Sequence, residues 1–317
     1  MTIDSGPNSG SSSLEAVADE YREQPIYTGT RGFLRRSSGT DLEQADVVVT
    51  GVPFDLATGH RPGARFGPDS IRQASANLAW ETKRWPWSFN AFDRLSVIDF
   101  GDLLFRPGEP ESMVAALQQH AGRVLAADKT LLTLGGDHYI SLPLLREHAR
   151  RFGPVALLHF GAHTETRQRG GPFEGGALLC QAYREGLVLP DDSVQIGIRT
   201  DYERSKNPYT VLDAAWINDH GAQQALDEIR VIVGDKPCYI SFDIDCLDPA
   251  YAPGTGTPVC GGLTTDCALK ILRGLTPLNL VGMDLVEVAP VYDHAEVTSL
   301  AAATLAMEFL YVLAARK

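Results

Sequence analysis

Short apolar runs alternate with longer amphipathic stretches from Asp46 to the end of the chain. The short runs are apolar throughout, which is typical of strands covered on both faces of a parallel sheet. The predicted strands are Val47–Val49, Leu95–Phe100, Leu131–Leu134, Val155–Phe160, Val194–Ile198, Tyr239–Phe242 and Leu280–Val286. The predicted helices are Pro68–Leu78, Glu111–Ala127, Leu142–Arg151, Gln223–Val233, Thr265–Leu275 and Glu296–Ala315. The pattern predicts an α/β fold, in which helices cover both faces of a mostly parallel central sheet in three α/β/α layers.

The pattern also predicts the domain organisation. Residues 1–30 are expected to form an N-terminal tail that is partly disordered, because Met1–Ser13 is rich in Ser, Gly and Asn. No internal repeat or linker divides the remaining chain, so residues 31–317 are expected to fold as one domain.

Charge and hydropathy exclude some classes of partner. The formal net charge of -12 argues against nucleic acid or an anionic membrane surface as a partner. No apolar run is expected to approach the roughly 18 residues that a membrane span needs, and no signal peptide is recognised. These observations predict a cytoplasmic protein, and the negative charge leaves open a mild field that attracts cationic substrates.

Polar side chains follow three of the predicted strands, where a parallel sheet collects its ligands. Carboxylates two residues apart in an extended strand point to the same face, so Asp243 and Asp245 are expected to repel each other. A divalent cation would relieve this repulsion, and mixed imidazole and carboxylate ligands suit Mn²⁺, Zn²⁺, Fe²⁺ or Ni²⁺. The polar residues are Asp137 and His138, His163 and Glu165, and Asp243 and Asp245.

Each piece of this pattern has a simpler interpretation. A single histidine at a strand end is more often a hydrogen-bonded core residue than a metal ligand, and two nearby aspartates are a weak signal. The joint occurrence of such residues at three strand ends favours a metal site over these alternatives.

These motifs resemble the ureohydrolase family of arginases and agmatinases, and most of all the bacterial agmatinases. The resemblance runs from about Val47 to the C-terminus and implies an arginase-like fold. The segments that carry it are Gly51–Asp55, Gly63–Pro68, Gly135–His138, Asp243–Asp248, Pro253–Pro258, Gly261-Gly262 and Met283–Pro290.

The resemblance implies a metal-dependent amidinohydrolase that converts a guanidino compound such as agmatine to an amine and urea, in polyamine metabolism. It implies one or two Mn²⁺ ions, or another divalent metal, and a homotrimer or homohexamer. Asp137 and Glu287 are the implied catalytic residues, and Glu287 also holds the guanidinium. The implied ligands are His138, Glu165 and Asp243 for one metal and His163, Asp243 and Asp245 for the other.

Two positions depart from the family pattern. The family motif Asp-Ala-His-x-Asp corresponds here to Gly161–Glu165, so Gly161 stands where the family has a bridging aspartate. The longer arm of Glu165 is expected to fill part of the space that Gly161 leaves. Gly175 stands where the family usually has an acid/base histidine, and loss of such a group typically slows a reaction by about 10²–10⁴.

Arg167 and Arg169 lie in the same loop as Gly175. If both face the pocket, they bind substrate and favour an anionic tail; otherwise they are solvated loop residues. Two alternatives to the hydrolase therefore stay open. One is a non-hydrolytic protein, either a pseudoenzyme or a binding partner, and the other is an enzyme with different chemistry on a guanidino or amide substrate.

Overall fold

Eight parallel strands form one sheet at the centre of the protein. The computed structural model describes residues 32–80, 83–168 and 173–317, so the predicted tail of residues 1–30 lies outside the described residues. The order of strands across the sheet is β2-β1-β3-β8-β7-β4-β5-β6. The strands are β1 Val47–Val52, β2 Val97–Asp102, β3 Thr130–Gly135, β4 Ala156–Phe160, β5 Val194–Ile198, β6 Thr210–Asp213, β7 Pro237–Asp243 and β8 Asn279–Val286.

Helices cover both faces of this sheet. Helices α1, α5, α6, α7 and α8 pack with one buried apolar cluster, and helices α2, α3 and α4 pack with a second cluster on the other face. The helices are α1 Gly67–Leu78, α2 Pro110–Ala126, α3 Ser141–Phe152, α4 Leu178–Arg184, α5 Ala214–His220, α6 Ala222–Val233, α7 Thr265–Gly274 and α8 Val297–Ala315. The predicted three-layer α/β/α architecture is confirmed, and all of the described strand pairs are parallel.

The elements that the sequence pattern missed are short or lie at the edge. Strand β6 has four residues and only one of them is buried, so it gives no continuous apolar run. Helices α4 and α5 have seven residues each, which is too short for a 3.6-residue period to be recognised. The second strand begins at Val97 rather than at the predicted Leu95.

Helix α8 is apolar on all sides because it is the core helix of one face. Its hydropathy of 1.7 and its 19 residues are sufficient for a membrane span, so the expectation that no run approaches that length is wrong. However, 89% of the apolar window is buried inside the protein. A helix buried on every side needs no polar face, which accounts for the composition without a membrane.

The strand order explains why the predicted site residues meet. Strands β3, β8, β7 and β4 are neighbours in the sheet, and their carboxyl ends lie along one edge. Asp243 is the last residue of β7, and His138, His163 and Glu287 follow the ends of the other three strands. Parallel pairing therefore brings together side chains that are more than a hundred residues apart in the chain.

Two buried histidines outside this site are expected to make the folded protein less stable in acid. Burial lowers the pKa of His148 to about 4, and burial with the nearby Arg123 lowers the pKa of His120 to about 4. The Nε2 atom of His120 lies 2.8 Å from the Thr50 hydroxyl. Below a pH of about 6.5 each of these histidines binds a proton in the unfolded chain but stays neutral in the folded chain. The free energy of unfolding therefore falls as the pH approaches 4.

We expect His120→Gln to remove part of this acid sensitivity, because glutamine keeps a polar group near Thr50 and does not titrate. The free energy of unfolding is measured with urea at pH 7 and at pH 4.5. Its loss between these two pH values should be smaller in the variant than in the natural protein, by about 2 kcal/mol. An equal pH dependence in the variant and in the natural protein would contradict this assignment.

Candidate active site

A cavity of about 690 Å³ opens at the carboxyl edge of the sheet. Of the predicted site residues, six line it: His138, His163, Glu165, Arg167, Asp243 and Glu287. Asp245 is buried beside the cavity without lining it, and so is Asp137. Arg169 lies outside the described residues.

The ring of His138 is held from behind by a buried chain of hydroxyl groups. Its Nε2 atom lies 3.0 Å from the Ser241 hydroxyl, and that hydroxyl donates to a carboxylate oxygen of Asp284 at 2.9 Å. The Tyr239 hydroxyl donates to the other oxygen of Asp284 at 2.8 Å. The ring plane of His138 is therefore fixed by neighbouring strands, and its Nδ1 atom is directed to the opposite side.

The Nδ1 atom of His138 lies 3.1 Å from Oδ2 of Asp243. The Nδ1 atom is buried and has no hydrogen-bond partner, so the two atoms are close without the geometry of a hydrogen bond. Two ligands that share one ion, each at a bond length of about 2.1 Å, lie roughly 3 Å apart. The pair therefore has the spacing of neighbouring metal ligands.

His163 and Asp245 form a second pair. The His163 Nδ1 atom lies 2.8 Å from Oδ2 of Asp245, and Oδ1 of Asp245 accepts a hydrogen bond from the Ala162 main-chain N–H. Burial opposes charge on His163, but the adjacent Asp245 carboxylate outweighs it and raises the pKa of His163 to about 9. Burial likewise opposes charge on Asp245, and the His163 hydrogen bond reverses this and lowers the pKa of Asp245.

Asp243 and Asp245 affect each other as expected, but the backbone between them is not the extended strand that the sequence pattern predicts. Strand β7 ends at Asp243, and the next residues, Ile244–Cys246, form a 3-10 turn. Asp243 therefore faces His138 and Asp245 faces His163, while the Asp245 main-chain N–H donates to Oδ1 of Asp243 at 2.9 Å. The carboxylates still affect each other, because burial and then repulsion by Asp245 raise the pKa of Asp243 well above its usual value.

Two further acids, both half-buried, line the cavity, and both have unusual backbone conformations. Glu165 and Glu287 have φ angles of 52° and 65°, in the left-handed region that costs energy for residues other than glycine. Burial raises the pKa of Glu165, and burial together with Asp137 raises the pKa of Glu287 to about 8. An approaching cation would favour the ionised form of each acid.

Glu287 is tied to the strand end that carries His138. One of its carboxylate oxygens accepts a hydrogen bond from the His138 main-chain N–H at 2.8 Å, and the Glu287 N–H donates to the Gly136 carbonyl. The other oxygen lies near Gly256. Both carboxylate oxygens of Asp137, in contrast, accept main-chain hydrogen bonds, from Ala57 and from Tyr139. Asp137 therefore fixes a loop at the cavity rim.

The side-chain position of Gly161 is filled by a histidine. A Cβ atom at Gly161 would lie 2.9 Å from Nε2 of His159, and the nearest atoms belong to His159 and His163. The atoms nearest to this position therefore belong to His159 and His163 and not to Glu165, which was expected to fill part of the space. Gln195 donates to Nδ1 of His159 and to the Thr164 carbonyl, so a neutral His159 carries its proton on Nε2, where no described residue accepts it.

Gly175 lies in more open surroundings than Gly161. Among the described residues, a Cβ atom at Gly175 would meet only the Ala57 carbonyl, at 3.7 Å. Arg167 lies at the mouth of the cavity, where its side chain is 75% exposed and 3.6 Å from Glu174. The carboxylate partly balances its charge, which favours the solvated-loop interpretation of Arg167.

The donor set fits a divalent cation by its chemistry. A buried imidazole nitrogen without a hydrogen bond faces a carboxylate, and the surrounding buried acids have raised pKa values that a cation would reverse. In residues 32–80, 83–168 and 173–317, however, no three His, Cys, Asp or Glu side chains already surround one point. The site thus offers close pairs of ligands rather than a closed shell.

Sequence reasoning missed the residues that support these ligands. Tyr239, Ser241 and Asp243 alternate along β7, so all three lie on one face of the strand. This spacing was available in the sequence, whereas the pairing of Ser241 with Asp284 depends on the register between β7 and β8.

We expect Asp284→Asn to weaken divalent-metal binding by about tenfold to a hundredfold, because groups that orient a ligand have effects of this size. An asparagine cannot accept equivalently from both the Tyr239 and the Ser241 hydroxyl groups, so the His138 ring loses its fixed partner. The dissociation constant for Mn²⁺, measured by calorimetry, tests this.

Thr50→Val is the matched control for this measurement, because it removes the hydroxyl partner of His120 at a distance from the cavity. The control should bind Mn²⁺ like the natural protein. Equal affinity in the Asp284 variant and the control would show that the hydroxyl chain does not position His138.

Known proteins resemble this chain over most of its length. A model of the arginase family matches residues 45–311. An agmatinase from Edwardsiella ictaluri (strain 93-146) is 59% identical over 273 residues, which cover 86% of this chain and 90% of that protein.

Two solved structures extend the comparison. A hypothetical agmatinase from Burkholderia thailandensis has a TM-score of 0.89 and 49% identity, over 92% of this chain and 93% of that one. Proclavaminate amidino hydrolase from Streptomyces clavuligerus has a TM-score of 0.87 and 36% identity, and the match covers 93% of this chain and 100% of that one. The cavity, its acids and these similarities agree: the chain belongs to the arginase family and is an agmatinase-like ureohydrolase that acts on guanidino compounds.

Proposed function

We propose that hydrolysis of the guanidino group takes place in the 690 Å³ cavity at the carboxyl edge of the sheet. The observation that carries this proposal is that Glu287, His138 and Asp243 all line this one cavity. A carboxylate suited to a guanidinium thus lies beside a pair of atoms with the spacing of metal ligands. The products are an amine and urea.

The proposed ligands combine these two pairs with Glu165, which the family resemblance adds and which lines the same cavity. His138, Glu165 and Asp243 hold one divalent ion, and His163, Asp243 and Asp245 hold the other if two are bound. Mn²⁺ is the proposed metal, because imidazole and carboxylate together suit it and the family supports it. Bound metal of this kind supplies a hydroxide nucleophile near neutral pH from water.

Glu287 is the proposed anchor of the guanidinium. A planar guanidinium matches a carboxylate through two parallel hydrogen bonds, and its positive charge favours the ionised form of Glu287. One oxygen of Glu287 is already held by the His138 main-chain N–H, which orients the carboxylate before substrate arrives. Asp137 supports the rim of the cavity through Ala57 and Tyr139.

Charged side chains of both signs lie at the cavity mouth, where the tail of the substrate is proposed to bind. Arg167 and Lys206 line the cavity mouth, but so do Asp201 and Glu203, and Lys206 pairs with Glu203 at 2.8 Å. Two positive and two negative side chains balance, so these charges favour neither an anionic nor a cationic tail. A cationic tail, as in agmatine, is proposed because the chain is similar to agmatinases.

A second candidate function rests on Gly161 and Gly175. Neither residue can donate a proton or bind a metal through a side chain, which favours a non-hydrolytic partner protein or different chemistry on a guanidino or amide compound. The retained acids and imidazoles favour hydrolysis over this candidate. We also infer a cytoplasmic homo-oligomer in polyamine metabolism, supported by family membership.

Urea release provides the direct test. With Mn²⁺ supplied, the protein should release urea from guanidino compounds, and a panel with cationic, neutral and anionic tails should favour the cationic one. Glu287→Gln should lower kcat/KM by about tenfold to a hundredfold, because a charged hydrogen-bonded pair is lost. Glu109→Gln, on the surface, is the control. Metal binding without urea from any compound would favour the second candidate.

The open surroundings of Gly175 predict a gain of activity. We expect Gly175→His to raise kcat by on the order of tenfold or more, because a positioned acid/base accelerates proton transfer and the added Cβ atom meets no close neighbour. Gly175→Ala adds the same Cβ atom without a titrating group and should leave kcat unchanged. Equal rates in the two variants would contradict the prediction.

A further inference from the structure

Arg199 follows strand β5 and directs its guanidinium into the turns behind the cavity. All three nitrogen atoms of the guanidinium donate hydrogen bonds to main-chain carbonyl oxygens, at distances from 2.6 to 3.3 Å. The accepting carbonyls belong to Gly197, Asp245, Cys246, Leu247 and Val259. The guanidinium therefore connects the end of β5, the turn that carries Asp245, and the loop that includes Val259.

This arrangement is unlike an ordinary ion pair. In the part of the chain that the structure describes, no carboxylate oxygen forms a salt bridge with Arg199, although its charge contributes to the lowered pKa of Asp248, where burial acts in the opposite direction. A planar fork of five N–H groups can satisfy several carbonyls at once, whereas the single ammonium of lysine has three donors at one point. The contacts thus require an arginine rather than only a positive charge.

The main chain of Arg199 joins the same network. Its N–H donates to the Ala162 carbonyl at 3.1 Å, and the Ala162 N–H donates to Oδ1 of Asp245 at 2.8 Å. The side chain of Arg199 binds the Asp245 carbonyl at 2.7 Å. Arg199 therefore binds both the segment that precedes His163 and the turn that contains Asp245. These two segments carry the residues of the His163–Asp245 pair.

We propose that Arg199 is a positioning residue that sets the separation between His163 and Asp245. The inference rests on the proposed metal site at this pair, and it assigns the geometry of that pair to a residue outside the cavity. Glu287 follows another strand, and in the described part of the chain no hydrogen bond or salt bridge joins it to Arg199. Loss of Arg199 should therefore affect metal binding and kcat, while KM for a guanidino compound stays close to its natural value.

The test is Arg199→Lys in the full chain, with affinity for Mn²⁺ measured by calorimetry and thermal stability measured in parallel. We expect the dissociation constant for Mn²⁺ to rise by about tenfold to a hundredfold, as for other groups that orient ligands. Arg230→Lys is the matched control, because Arg230 is also half-buried and donates two hydrogen bonds to the Gly274 carbonyl, far from the cavity. The control should lose thermal stability without losing affinity for Mn²⁺.

Two results would overturn the inference. If Arg199→Lys binds Mn²⁺ as tightly as the natural protein and as the control, the separation of the pair does not depend on Arg199, and the proposed function is unaffected. If the natural protein binds no Mn²⁺, the proposed metal site and the inference fail together.

A second variant keeps the test informative if Arg199→Lys does not fold. The Asp248 carboxylate accepts main-chain hydrogen bonds from Gly261 and Gly262, beside the Val259 carbonyl that Arg199 binds. Asp248→Asn should loosen this turn while the guanidinium remains, and should weaken Mn²⁺ binding in the same direction by a smaller factor. Natural affinity in Asp248→Asn, with a loosened turn, would also overturn the inference.

Discussion

Repulsion among buried acids governs the carboxyl edge of this sheet. Asp243 and Asp245 are buried, and Glu165 and Glu287 are half-buried beside them. The pKa values of Asp243, Glu165 and Glu287 are raised by burial and by repulsion from neighbouring acids. Only Asp245 has a lowered pKa, because His163 faces it. Burial of carboxylates without a cation is costly, so the arrangement is stable at neutral pH only with bound protons or with a metal.

The scaffold holds these acids against that repulsion. Strand β8 fixes Asp284, which accepts hydrogen bonds from hydroxyl groups on β7 and so fixes the His138 ring. Arg199 fixes the opposite arm through main-chain carbonyls. The left-handed conformations of Glu165 and Glu287 lie at the same edge, where surrounding hydrogen bonds maintain a backbone that isolated residues would avoid. Hydrogen bonds from neighbouring strands and turns therefore hold both the His138–Asp243 pair and the His163–Asp245 pair.

The two glycines at the site have different physical consequences. The buried imidazole of His159 occupies the side-chain position of Gly161, so a larger residue there must displace a group inside the core. Gly175 lines the cavity, and a Cβ atom there makes no close contact with the described residues. A substitution at Gly175 is thus expected to leave the core packing unchanged, whereas a substitution at Gly161 displaces His159.

The sequence by itself determined the layers, seven strands and the residues that follow them, because strands buried on both faces must be continuously apolar. It did not determine the edge strand Thr210–Asp213, which is too short and exposed to show this pattern. Only the tertiary structure decided that Asp243 faces His138 while Asp245 faces His163, since a 3-10 turn replaces the extended backbone after Asp243. It also decided the roles of His159, Asp284 and Arg199, whose partners are distant in sequence and meet only through strand order and register.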